Sequence, residues 1–137
     1  MQQQQYEHYL NAFNNQDYET VLSYYVDEPE IYFAGYTLQG KQEILDFYAF
    51  FHHYVRESIT FTRYVSDATT VVLEADVRIE GIMDLGVEIL KEKGFERLIP
   101  LNKGDAFIVP QFIHYHLNAN GKFTHALCAV VDAPRVD

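Results

Sequence analysis

The order of hydrophobic patterns along the chain constrains its fold more than any single motif does. Apolar residues recur at helical spacing in two short segments, which are followed by the β-rich stretch "EIYFAGYTL" and by a third helical segment opening with "GKQEILDFY". From Ser58 onward the period changes to two residues, as in half-buried strands. This order predicts an α+β fold in which three N-terminal helices cover a curved, mixed or antiparallel sheet and enclose a cone-shaped pocket.

The helical segments have identifiable buried faces and ends. In the first segment four residues follow the i, i+3, i+4, i+7 spacing of one face: Tyr6, Tyr9, Leu10 and Phe13. Asp17 is a suitable N-cap for a second helix, which we expect to run through Tyr25 and to end before Pro29. The third helix would begin at Gly40, with His52 at the edge of its apolar face and His53 in water. Its apolar face would hold Ile44, Phe47, Tyr48, Phe51 and Val55.

The second half of the chain predicts antiparallel strands. In "TVVLEADVRIEG" apolar Ala75, Val77 and Ile79 alternate with charged residues, so one face would be apolar and the other charged. Residues 82–105 would form an insertion, helical or irregular in its first half. The segment "DAFIVPQFIHYHL" would pair with "KFTHALCAVV" across a turn at 118–121. Pro110 would mark a bulge or an edge position, because it cannot donate to a ladder.

Composition bounds the class of protein. A chain of 137 residues fits one domain, which we place at 1–137. A net charge of −10 argues against a nucleic-acid partner, and no apolar run approaches the roughly 20 residues of a membrane helix. The start, "MQQQQYEHY", is neither basic nor apolar, so we expect a cytoplasmic protein. Cys128 is the only cysteine, which excludes an internal disulfide, and its apolar neighbours indicate a buried, inert thiol.

Three stretches in this order carry a family resemblance: "YLNAFNNQDYETVLSYYVDEPEI", "GKQEILDFY" and "NGKFTHA". Together they resemble the SnoaL-like branch of the nuclear transport factor two superfamily, which also contains ketosteroid isomerases, scytalone dehydratase and limonene epoxide hydrolase. The resemblance implies a cystatin-like cone with a small-molecule pocket, a C2 homodimer and chemistry without a cofactor.

Matching to ketosteroid isomerase places Tyr9 on the tyrosine that donates to the developing oxyanion. Tyr25 and Tyr48 fall on the two tyrosines that hydrogen-bond to it. The base and acid aspartates of that enzyme fall near Phe33 and Ile113, so its mechanism is not expected here. The resemblance thus implies a donor network without the matching proton acceptor.

His52 is the best candidate for the missing acceptor, because one helical turn after Tyr48 it could point toward the mouth of the pocket. Related dehydratases place a His and Asp pair near the end of the first helix, where this chain has Asn14. Asp76 would serve only if its strand were inverted. We therefore predict Tyr9 and His52 as catalytic residues. The predicted pocket lining is Tyr9, Tyr25, Phe33, Tyr48, Phe51, His52, Val77, Ile113, Tyr115 and Cys128.

A second cluster allows a different chemistry. His114 and His116 lie on one face of a strand, and a turn at 118–121 would bring His125 opposite His114. With Glu74 or Asp76 these histidines have the ligand types of a catalytic zinc site. The same alternation places them on the outer, charged face of the sheet, which favours a subunit interface or solvent over a metal.

Three functions remain open from sequence. The first is a cofactor-independent lyase, isomerase or cyclase acting on a hydrophobic, oxygenated small molecule such as a polyketide or terpenoid. The second is a non-catalytic ligand-binding or dimerisation module, and the third is a metal-dependent enzyme using His114, His116 and His125.

Overall fold

The computed structural model describes all 137 residues and contains four helices and one seven-stranded sheet. The helices are α1 (Gln3–Asn14), α2 (Tyr18–Ser23), α3 (Gly40–Tyr54) and α4 (Val87–Lys93). The strands are β1 (Tyr25–Phe33), β2 (Tyr36–Gln39), β3 (Val55–Ser66), β4 (Thr70–Gly81), β5 (Ala106–Leu117), β6 (Phe123–Val130) and β7 (Arg135–Val136). None of the helices combines the length and apolar character needed to cross a bilayer.

The sheet is mixed, as predicted. Its strand order is β2-β1-β6-β5-β4-β3, with the short β7 paired to the outer part of β5. Only β1 and β6 run parallel, while the other neighbours are antiparallel. The helices α1, α2 and α3 cover one face of this curved sheet, which confirms the predicted α+β architecture.

The covering helices are attached through aromatic and amide side chains. Tyr6 on α1 has no exposed surface, and its hydroxyl lies 2.9 Å from that of Tyr115 on β5. At the end of α1, Asn14 donates to the carbonyl of Ile59 at 3.0 Å and accepts from its amide at 2.8 Å. Asn14 therefore pairs with β3 as a neighbouring strand would, which fixes the end of α1 over the start of that strand.

The second helix is shorter than predicted. It ends at Ser23 after an N-cap in which Asp17 accepts from the amide of Thr20, and Tyr25 already begins β1. Tyr25 pairs with Phe123 of β6, so sheet pairing overrides the helical spacing that placed it in α2. Pro29 lies inside β1, where the register with β6 shifts, and not beyond a helix.

Strands β3, β4 and β5 follow the predicted two-residue alternation. Ala75 and Val77 are buried, and Asp76 between them lies outside and pairs with Arg135 at 3.1 Å. Pro110 forms no bulge, and β5 is not an edge strand. The proline is nevertheless tolerated, because the neighbouring strand β6 ends beside it. Its carbonyl accepts from Val131 just where β6 ends, and its nitrogen, on the same side, needs no partner.

The two ends of the predicted insertion, residues 82–105, are held together by a β-bridge. The insertion contains α4, and the bridge joins Leu85 and Leu101, both buried. Its end packs so tightly on Gly81 that a Cβ there would collide with the backbone carbonyl of Asn102. The glycine therefore allows the segment to close against the end of β4.

Candidate active site

A cavity of about 310 Å³ lies between the inner face of the sheet and helices α1 and α3. This volume is typical of small-molecule sites. Twenty-three of its twenty-seven lining residues are hydrophobic, so the wall is largely apolar. The charged or amide side chains at its wall are those of Glu57, Arg97 and Gln111.

Nine of the ten residues predicted to line the pocket lie at the wall of this cavity: Tyr9, Tyr25, Phe33, Tyr48, Phe51, Val77, Ile113, Tyr115 and Cys128. His52 is the exception and corrects the prediction. Its ring is buried behind the wall, facing Tyr18 and Glu57, because α3 turns this edge toward α2 and the start of β3.

Four tyrosines, Tyr9, Tyr25, Tyr48 and Tyr115, line the cavity. The hydroxyls of Tyr9 and Tyr25 are hydrogen-bonded at 2.9 Å, as the resemblance implied. The implied bond between Tyr9 and Tyr48 is not formed. The Tyr48 ring instead stacks on Tyr18 and His52, with ring centroids 6.1 and 5.2 Å away. The Tyr48 hydroxyl, at the cavity wall, has no hydrogen-bond partner within the chain.

Burial keeps these phenols protonated. It is the largest influence on Tyr9 and raises the pKa of that phenol well above its usual range, although the hydrogen bond with Tyr25 opposes the rise. Burial likewise raises the pKa of Tyr25, Tyr48 and Tyr115. At neutral pH the cavity wall therefore presents O–H donors, which suits an oxygen that gains negative charge.

The wall of the same cavity carries a carboxylate that the sequence analysis missed. Glu57 is the acidic residue of the cavity wall, and its side chain is 16% exposed. Its Oε1 lies 2.8 Å from His52 Nε2, and His52 Nδ1 lies 2.6 Å from the Tyr18 hydroxyl. Because a carboxylate only accepts, Nε2 carries the proton and Tyr18 donates to Nδ1. The result is a directed chain from Tyr18 through His52 to Glu57.

A sequence signal for Glu57 existed. The strand was predicted from Ser58, whereas β3 begins at Val55 directly after α3. Extending the alternation back from buried Ile59 places Glu57 and Val55 on the inner face. A charged residue at a position where the alternation predicts an apolar one is the signal that identifies Glu57.

The other positions considered from sequence do not supply an acid to the cavity. Phe33 and Ile113 both lie at the cavity wall and supply only apolar surface. Asn14, at the dyad position of the dehydratases, is fully used in bonding the backbone of Ile59. Asp76 faces outward, so it does not reach the cavity.

The predicted insertion forms the rim of the cavity. Arg97, Leu98, Ile99 and Leu101 all contribute to the wall. The Arg97 guanidinium donates to the carbonyl of Gly35 at 3.2 Å and lies 5.4 Å from the centre of the Tyr36 ring. These contacts join the rim to the β1–β2 turn.

The three outer histidines do not form the metal site considered from sequence. They share the outer face, with ring centroids of His114 and His116 4.9 Å apart and those of His116 and His125 5.1 Å apart. However, His125 lies opposite His116 and not His114, because Lys122 falls in the loop and Thr124 is an extra residue beside it. No group of three potential ligands is arranged to hold a metal ion.

The architecture and the cavity define an NTF2-like cone fold. The chain is similar in structure to an NTF2-like protein of unknown function from Burkholderia pseudomallei (TM-score 0.68, 13% identity, 93% of this chain and 88% of that chain). More specifically, the chain belongs to the SnoaL-like domain family, whose model matches residues 6–126.

Two similar solved structures hold or were designed for steroids. One is a computationally designed 17-OHP binder (TM-score 0.69, 13% identity, 94% of this chain and 92% of that chain). The other is RV0760c from Mycobacterium tuberculosis in complex with estradiol-17beta-hemisuccinate (TM-score 0.65, 14% identity, 88% of this chain and 85% of that chain). At these identities the likeness shows the fold alone. A comparison with curated proteins found no match.

Proposed function

We propose that this protein is a cofactor-independent lyase, isomerase or cyclase that acts on a hydrophobic, oxygenated small molecule of the polyketide or terpenoid type. The observation that carries the proposal is the largely apolar cavity of about 310 Å³ whose wall bears protonated phenols and one carboxylate. Apolar walls bind a hydrophobic skeleton, and the phenols donate to its oxygen.

A binding measurement tests the proposal. We expect 2-naphthol, a hydrophobic phenol, to bind in the cavity and its fluorescence to change on binding. Tyr9→Phe should weaken binding by about 1 kcal/mol, roughly fivefold, because one hydrogen bond to the ligand oxygen is lost. The matched control is Tyr24→Phe, since Tyr24 bonds exposed His8 and lies outside the cavity.

Two outcomes would contradict the proposal. If wild-type protein does not bind 2-naphthol or a steroid such as 17-hydroxyprogesterone, the cavity does not act as a hydrophobic site. If Tyr9→Phe and Tyr24→Phe bind equally well, Tyr9 is not a donor to the ligand.

We further propose that the protein is a C2 homodimer formed through the outer face of the sheet. Phe112 is 48% exposed there, and His114 Nε2 is buried without a hydrogen-bond partner within the chain. Light scattering should give the mass of a dimer, and Phe112→Glu should give a monomer while Val87→Glu, at an exposed site on α4, should not. A monomeric wild-type protein would refute the proposal.

A further inference from the structure

We infer that Glu57 is the proton acceptor of this cavity and that His52 and Tyr18 hold its carboxylate in position. The inference rests on the proposed function and deepens it by naming the base. The substrate class that it implies is an uncharged, hydrophobic ketone with an acidic C–H beside the carbonyl.

The location of Glu57 separates it from the other acids of the chain. It projects from the inner face of β3 into a largely apolar wall, next to buried Ile59. Tyr9, Tyr48 and Cys128 line the same cavity as Glu57, and its negative charge contributes to the raised pKa of each. The carboxylate and the phenol donors therefore face the same void.

The hydrogen bonds leave one oxygen of Glu57 available. His52 donates from Nε2 to Oε1, and Oε2 has no partner within the protein. The His52 ring is itself fixed by Tyr18 and Tyr48, which lie nearly parallel to it at interplanar angles of 12° each. Oε2 is thus the atom positioned to accept a proton from a bound molecule, as a general base requires.

The proton transfer is balanced by groups already at the site. Glu57 takes the proton from the carbon beside the carbonyl, and the electrons of that C–H bond form a C=C bond. The carbonyl oxygen becomes an enolate oxygen, which accepts hydrogen bonds from the phenols of Tyr9 and Tyr48. Glu57, now a carboxylic acid, can return the same proton at another carbon, so no external oxidant or reductant is needed.

The test uses 5-nitrobenzisoxazole, a hydrophobic probe that reports a base without the natural substrate. Removal of its ring C–H proton breaks the N–O bond and yields a coloured cyanonitrophenolate. Wild-type protein should catalyse this elimination, and Glu57→Gln should lower kcat by about a hundredfold or more, as loss of a general base does. Glu88→Gln, which changes an exposed carboxylate on α4, is the matched control and should leave kcat unchanged.

Variants of His52 test its positioning role. His52→Phe removes the donor to Glu57 and should lower kcat with KM nearly unchanged. His52→Gln keeps an N–H group near the place of Nε2 and should recover much of the rate. A residue needed only for folding would not show this recovery. Circular dichroism establishes that each variant is folded, and Glu57→Asp, which retracts the carboxylate by one methylene, replaces Glu57→Gln if that variant does not fold.

The outcomes distinguish this inference from the proposed function. If 2-naphthol and the probe bind but wild-type protein gives no turnover, or if Glu57→Gln keeps full activity, Glu57 is not the base and the cavity remains a binding site. If neither molecule binds, the proposed function fails, and the assignment of Glu57 fails with it.

Discussion

The two faces of the sheet arrange their polar groups in opposite ways. On the outer face, Arg63 pairs with Glu74 at 2.8 Å and Arg78 pairs with Glu80 at 2.7 Å, and all four side chains are at least 37% exposed. On the inner face the hydroxyls and Glu57 border a largely apolar cavity. Residues alternating along the same strands therefore meet very different surroundings.

The comparison shows where chemistry can arise in this fold. Exposed ion pairs contribute roughly 0–1 kcal/mol each, because water solvates and screens both partners. An inner hydroxyl or carboxylate is held by fixed neighbours, and a bound molecule would replace the remaining water. The inner face is thus suited to binding and proton transfer, and the outer face to solubility or subunit contact.

The largest expected difference between the faces is alkaline instability from the inner tyrosines. Burial raises the pKa of five of them above the ordinary value of 10.0: Tyr6, Tyr9, Tyr25, Tyr48 and Tyr115. Tyrosines of the unfolded chain ionise near pH 10.0, while those of the folded protein stay protonated. The free energy of unfolding is therefore unaffected below this pH and decreases as the pH rises above it. Each tyrosine contributes about 1.4 kcal/mol per pH unit in that range.

Urea unfolding at increasing pH checks this expectation. The Cys128 thiol adds to the loss, because burial raises its pKa from 9.0 to about 12. Tyr6→Phe should reduce the slope of stability against pH, whereas Tyr36→Phe, at a partly exposed tyrosine, should not. A stability that stays constant above about pH 10 would show that the tyrosines are not shielded from water.

Truncation of neighbouring residues on β5 gives the next largest contrast. Tyr115 is 4% exposed, and its ring centroid lies 4.4 Å from that of Phe123. Tyr115→Ala should cost about 3–5 kcal/mol of unfolding free energy, because it enlarges the cavity and removes the bond to Tyr6. His116→Ala on the opposite face should change stability by about 0.5 kcal/mol or less. Equal effects in chemical denaturation would remove the distinction between the faces.

The attachment of α1 to β3 is expected to have an intermediate effect. Asn14→Ala removes both hydrogen bonds to Ile59 and should cost about 1–3 kcal/mol, because the strand amide and carbonyl lose their partner. Asn11→Ala, at an exposed position of the same helix, is the control. Thermal unfolding measures both. Hydrogen exchange at the Ile59 amide should also become faster in Asn14→Ala alone, and unchanged exchange would argue against this attachment.

The smallest effect concerns the outer histidines in mild acid. Partial burial is the main cause that lowers the pKa of His116 below its ordinary value of 6.5, and the charges of nearby His114 and His125 lower it further. As the pH decreases, His116 gains its proton at a higher pH in the unfolded chain than in the folded protein. The free energy of unfolding is therefore unaffected above about pH 6.5 and falls as the pH decreases through that value. The loss should be small, since the site is mostly exposed, and His116→Gln should reduce it. An identical pH dependence in wild type and His116→Gln would contradict this assignment.

Element order and inner faces were predictable because they depend on local periodicity. The switch from helical to alternating spacing identified the cone fold, and the alternation of β4 and β5 placed Val77, Ile113 and Tyr115 inward. The boundary errors arose where the sheet competes with a helix. Tyr25 fits helical spacing but is taken into β1 by pairing with Phe123, and the strand start at Val55 was missed directly after α3.

The amino-acid sequence alone determined the layered fold, the tyrosine-rich interior and the outward position of the three histidines. The reason is that side-chain direction follows from spacing along a helix or strand. Only the tertiary structure decided that His52 contacts Glu57, that Asn14 bonds β3, and that His125 lies opposite His116. These contacts join residues of different elements, and their geometry depends on strand register and on the angle at which helices cross the sheet. A shift of one residue in register would reverse the face of each side chain on a strand.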